Sequence, residues 1–269
     1  MYKFLIVFIS IFLIHKSLHA QNSNIDGISS KSLNDHIGVS VGYNQGYFKD
    51  LLFSPLNYIQ GGALYGLRYV RQSPNDKNLI ELNMQYSSGE LNVSDLDNFT
   101  ASYLFGKFKL GYLHRISLIK RNNLKVYLGG EYQTQIHSLE WLDASVAASW
   151  FGTHGLRVKA LASYQIQKRH QVQTALSIPV FQSLVRPPFN VRDEFVDENQ
   201  DNILAFVFRG ESASLDKYFA IDWETSYYFE LSKRLDMLFT YQMIYQRVFD
   251  VHRLIQFQNQ LNIGVSFKF

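Results

Sequence analysis

"LNIGVSFKF", Leu261–Phe269, alternates apolar and polar residues up to the last position of the chain. Traced back, Ile255, Phe257, Leu261, Ile263, Val265, Phe267 and Phe269 share one face. Gln256, Gln258, Gln260, Asn262, Gly264, Ser266 and Lys268 share the other, and only Asn259 interrupts the apolar face. Side chains of a strand point alternately to its two sides, so this is a half-buried strand. The end of a soluble domain usually frays. A strand kept regular to its final carboxylate needs a partner along its whole length.

The same period of two recurs along the chain. Val39, Val41 and Tyr43 alternate with Ser40 and Gly42; Ile80, Leu82, Met84 and Tyr86 with Glu81, Asn83 and Gln85. Leu156, Val158, Ala160, Ala162, Tyr164 and Ile166 alternate with Arg157, Lys159, Ser163 and Gln165. The apolar face is large and carries aromatics towards strand ends (Tyr43, Tyr69, Tyr86, Tyr112, Tyr132, Trp223, Tyr245), while Gln, Ser, Gly, Asn and charges of both signs fill the polar face. A soluble sandwich packs its apolar face inside. A barrel in a bilayer turns it to lipid, with aromatic girdles at the two interfaces. The expected fold is therefore all-β: a transmembrane antiparallel up-and-down β-barrel.

Strand number follows from the turns. "SPNDKN" (73–78), "KRNN" (120–123), "QKRHQ" (167–171) and "SKRLD" (232–236) are short and polar. The connections at 49–60, 92–98, 137–143 and 184–216 are longer, with 250–253 a short exception. Four short turns on the side of the termini give ten strands. A tight turn at "WFGTHG" (150–155) and a strand at "NILAFVF" (202–208) would give twelve.

Composition agrees. The 269 residues include 17 Tyr, 21 Phe and no Cys, with 18% charged residues and a formal net charge of +3. Aromatic content excludes a disordered chain, the missing cysteines exclude a disulfide framework or Cys-ligated metal, and the scattered charge gives no nucleic-acid footprint. Lys3, the apolar run Phe4–Ile14 and "SLHA" have the layout of a cleaved signal, with the cut expected after Ala20. This run of 11 residues falls short of the about 20 that a spanning helix needs. The expected organisation is a signal at 1–20, a periplasmic segment at 21–35 and the barrel at 36–269.

The signal ending "HA" before "QNS", the "KRH" and "SKR" turns, "SLVRPPF" (183–189) and the terminal "GVSFKF" resemble outer-membrane β-barrel proteins of Bacteroidota-type Gram-negative bacteria. The resemblance implies residence in the outer membrane and contact with its lipid; with no Gly-rich phosphate loop in the sequence, no cofactor is expected. It also implies that Phe267 and Phe269 form a C-terminal signal read by the barrel-assembly machinery. Physically, the last strand must also pair with the first, because an open edge in lipid leaves backbone groups unsatisfied.

On the inward face stand Arg68, Glu81, Lys107, Lys109, Glu131, Arg157, Lys159, Asp222, Glu224 and Glu230. They would either line a selective pore or fill a narrow lumen with ion pairs. Barrels of about eight strands are filled and those of 16–18 are open, so ten to twelve leaves both readings. The expected role is non-enzymatic: a small pore, or a surface or assembly component acting through its outer loops. The alternative is an outer-membrane hydrolase with Asp250, His252, Glu140, Asp143 or Glu211 at the outer rim. His114 and Ser117 fall on opposite strand faces, and His137, His154, His170 and His252 show no metal-ligand spacing. "VRPPFNVRDEFVDENQDN" (185–202) reads as an acidic loop, either a solvated or a cation- or partner-binding one.

Overall fold

A computed structural model describes residues 34–269 apart from 94–95, 117–122, 142–147, 187–209, 214 and 250–252. The signal region, the acidic run at 193–201, "NILAFVF", Ser117, Asp143, Asp250 and His252 lie outside the described residues.

The described residues form strands joined by turns, with no helix. They are β1 (Asn34–Asp50), β2 (Tyr58–Gln72), β3 (Asn78–Val93), β4 (Leu96–Arg115), β5 (Leu124–Trp141), β6 (Ala148–Gln167), β7 (His170–Val185), β8 (Glu211–Ala213), β9 (Tyr218–Ser232), β10 (Leu235–Val248) and β11 (Leu254–Lys268). Each long strand pairs antiparallel with its neighbours, β7 pairs with β9, and β1 closes on β11. The result is a closed ten-stranded barrel. The three-residue β8 adds only to the outer end of β7.

Three expectations change. "WFGTHG" lies inside β6 and continues the ladder to β5, so it is not a turn. A Cβ on Gly155 would stand 2.8 Å from the Gln182 Cα of β7, so this glycine marks a close approach of two strands. The connection expected at 92–98 shrinks, because β3 runs to Val93 and β4 starts at Leu96. The barrel begins at Asn34, two residues before its expected boundary.

The seam explains the opening strand. Ile37 faces Phe267, Val39 faces Val265 and Val41 faces Ile263. The N–H of Phe269 donates to the Asp35 carbonyl at 2.9 Å. At this seam no edge is left in the sheet, as lipid demands. Asn259 has a partner on the outer surface, where the Tyr241 hydroxyl donates to its Oδ1 at 2.6 Å.

The strands are longer than a bilayer needs. β4 and β6 have 20 residues each. At about 3.3 Å per residue and a tilt of about 40°, such a strand rises roughly 50 Å, against an apolar band of about 25 Å. The outward residues divide accordingly. On the side of the termini they are apolar and exposed, as at Val39, Leu110, Tyr112, Val158, Tyr164, Ile263 and Phe267. Towards the other end they become polar: Gln45 and Lys49 on β1, Ser88, Glu90 and Asn92 on β3, Ser138 and Glu140 on β5. The barrel therefore spans a membrane near its termini and projects beyond it on the other side.

The interior inverts in step. Inside the projecting part lies an apolar core that includes Phe48, Tyr58, Leu91, Phe105, Leu139, Phe151, Val248 and Leu254. Inward glycines let the wall bend this tightly. Gly62 and Gly89 face each other, and a Cβ on Gly89 would stand 2.5 Å from the Gly62 Cα.

Candidate functional site: the filled lumen and its outer lid

In the membrane-level lumen the inward positions bring nine charged residues together. Glu81 accepts from Arg68 at 2.8 Å and from Lys159 at 2.6 Å. Lys159 also donates to Glu131 at 3.0 Å. Asp222 forms ion pairs with Lys109 at 2.8 Å, the Arg157 guanidinium at 3.4 Å and Lys107 at 3.8 Å. Arg68 reaches across to Glu224 at 3.4 Å. Ser177 ties in β7 by donating to Glu131 at 3.0 Å and accepting from the Arg157 Nε at 2.7 Å. Five cations thus meet four carboxylates in one belt across the lumen. Glu230 stands apart, near the termini, 3.5 Å from Lys268.

Above the belt, towards the projecting end, comes a layer of buried amides. Gln85 donates to Gln242 at 3.0 Å, Gln256 to Gln60 at 3.0 Å, and Gln258 to the Tyr103 hydroxyl at 2.7 Å. Gln246 donates to Gln256. His137 is fully buried there, stacked on Phe151 with centroids 4.1 Å apart, its Nδ1 3.1 Å from the Tyr103 hydroxyl. The inward apolar core follows. On the other side of the belt Leu79, Leu113, Tyr127, Leu161 and Ala175 form a smaller apolar layer.

A cavity inside the wall, against Arg68, Asn83, Gln85 and Glu224, measures about 30 Å³, enough to hold water but no larger solute. A depression of about 460 Å³ lies among outward-facing residues such as Ala160, Ala162, Leu176 and Trp223, so it is a surface feature.

The outer mouth is covered by the β1–β2 connection, 51–57. Its Leu52, Phe53 and Ser54 are buried, and Phe53 packs on Tyr58 at 5.7 Å. Asp50 holds the connection in place. It accepts from the Leu52 N–H at 2.9 Å and from the Arg186 guanidinium. Asp50→Asn keeps the acceptor for Leu52 but loses the charge pairing. A hydrogen bond to a charged group contributes about 1.5–3 kcal/mol, so local opening should rise at least about tenfold. Limited proteolysis should then cut within 51–57 faster in the variant than in the wild type, while the barrel stays folded.

Sequence reasoning missed this lid and the inner apolar core. A signal for the lid was present: "LLF" directly after Asp50 is unusually apolar for an exposed loop. Arg186 belongs to the "SLVRPPF" segment, which carried no role in the sequence.

Of the rim residues considered for a hydrolase, Glu140 points outward and is exposed, away from the mouth. Glu211 is exposed at the outer end, 3.8 Å from Lys217. Among the described residues, no group of three or more His, Cys, Asp or Glu is placed to hold a metal ion.

The outer membrane protease OmpT from Escherichia coli has a similar structure, with TM-score 0.59 at 9% identity over 90% of this chain and 99% of that one. The fold is that of a bacterial outer-membrane β-barrel. At such identity the likeness concerns the fold alone. The translocator domain of the autotransporter NalP from Neisseria meningitidis matches at TM-score 0.42 and 9% identity, covering 97% of this chain and 96% of that one. Ail of Yersinia pestis matches at 0.33 and 12%, covering 87% and 98%. No family model and no curated protein matches the chain. What distinguishes this outer-membrane-type barrel is therefore read from its own interior.

Proposed function

We propose that the chain is a closed, non-enzymatic outer-membrane barrel that works through its projecting outer end, as a surface component. The observation that carries this is the lumen: a nine-residue ion-pair belt, an amide layer and an apolar core fill it, and the cavity beside Arg68 and Glu224 measures about 30 Å³. A pore needs a continuous wet path, and these layers interrupt one. The polar outward residues of the outer strand ends support a water-facing surface there. The termini then lie on the periplasmic side. The Bacteroidota-type assignment rests on the sequence motifs quoted above. Protease added to intact cells should cut in the connections 51–57 or 186–217 and leave the four turns on the side of the termini untouched. Cuts at 167–171 or 232–236 instead would reverse the orientation and contradict the reading.

In the same proposal Phe267 and Phe269 serve assembly. Their rings stack at 6.3 Å on the outer surface, and their backbones complete the β1–β11 seam. A chain lacking the last three residues should accumulate unfolded, seen as loss of the heat-modifiable band on electrophoresis. Undiminished folded yield would remove that role.

A further inference from the structure

The end of the barrel that carries the termini has a charge imbalance that the fold does not use. Among the described residues its four side-chain carboxylates all have partners within the protein. Asp35 lies 3.8 Å from Arg71, Asp76 2.8 Å from Lys125, and Asp236 and Glu230 lie 2.8 and 3.5 Å from Lys268. Six cations at the same end have no ion pair: Lys77, Arg115, Lys168, Arg169, Lys233 and Arg234. They come from four separate places on the rim: the β2–β3 turn, the end of β4, the β6–β7 turn and the β9–β10 turn.

Their height is as informative as their number. Lys168 follows the lipid-facing Ile166 by two residues, and Lys233 follows Leu231 by two. Ile166 and Leu231 are 49% and 47% exposed, so the apolar band reaches these positions. Two residues of a strand advance about 7 Å. The cations therefore sit just past the acyl region, at the depth of phosphate groups, with long apolar stems that can lie along the band. Tyr112 and Tyr164, both exposed, stand beside them as interfacial aromatics. The opposite end has the reverse character in sequence, with "VRDEFVDENQD" (191–201) in its longest connection.

We propose that this rim is a binding surface for anionic phospholipid headgroups in the adjoining leaflet. Each unpaired guanidinium or ammonium faces one lipid phosphate, and an added headgroup charge favours anionic lipid over zwitterionic lipid. The inference rests on the membrane-spanning fold and is independent of the orientation proposed above, because the test below has no sides.

The full barrel, folded in detergent, is mixed with equal amounts of phosphatidylglycerol and phosphatidylethanolamine bearing the same acyl chains. Retained lipids are counted by native mass spectrometry. The wild type should keep several-fold more phosphatidylglycerol, and the preference should shrink as ionic strength rises. K168Q/R169Q/K233Q/R234Q should lose most of the preference and K77Q/R115Q part of it, each with unchanged heat-modifiable mobility. K49Q/R253Q, at the other end, should keep it. Equal retention of both lipids by the wild type overturns the proposal. Equal retention combined with capture of poly-glutamate by the wild type alone overturns it in favour of an acidic protein partner.

Discussion

Asp222→Asn should destabilise the barrel by about 3–5 kcal/mol, the penalty for removing one partner of a buried ion pair. Asp222 is 3% exposed and is approached by Lys109, Arg157 and Lys107 at 2.8, 3.4 and 3.8 Å. Without its charge, five cations would share three carboxylates in a buried site. Most of the loss comes from the cations left uncompensated, because the pair itself repays its desolvation only in part. Glu230→Gln is the matched control. Glu230 sits near the rim, 3.5 Å from Lys268, with its side chain 36% exposed. Half-exposed pairs contribute about 1 kcal/mol or less. Reversible urea unfolding in lipid vesicles should rank the two variants in that order. Similar values for both would mean that the belt is hydrated and screened.

Phe151→Ala should cost about 3–5 kcal/mol as well, the range for emptying a buried Phe site. The effect should fall in a different part of the molecule. Phe151 is fully buried, stacked on His137 at 4.1 Å and on Phe48 at 6.4 Å, inside the projecting end. Hydrogen exchange should accelerate at the outer ends of β1, β5 and β6. The membrane-level stretches of the same strands should keep their protection. Uniform loss of protection would show that the projecting part has no core of its own.

The two predictions mark what was legible in the sequence. Parity alone separates lipid-facing from inward positions wherever the outer face is continuously apolar, as at Ile80–Tyr86 and Leu156–Ile166. Ten strands follow from the four short turns. The pairing of Arg68 with Glu224 did not follow, because they are 156 residues apart and meet only once the sheet has closed. The outer core was missed for a specific reason. Where the barrel leaves the membrane, water lies outside and the apolar phase of the alternation switches. β3 goes from even positions, Ile80 to Tyr86, to Leu91, and β5 from Leu124, Val126 and Leu128 to Leu139. "SYLF" (102–105) and "SWF" (149–151) blur the alternation at that switch, which is why "WFGTHG" (150–155) could read as a turn. The lid escaped because it depends on one contact between Asp50 and Arg186, 136 residues apart.

Single-channel recording of the folded wild-type barrel in a planar bilayer tests the central claim most directly. A lumen filled by the belt, the amide layer and the apolar core predicts a silent bilayer, with insertion verified independently by heat-modifiable mobility of the recovered protein. Stable stepwise conductance would contradict the closed lumen and make the belt charges the lining of a pore.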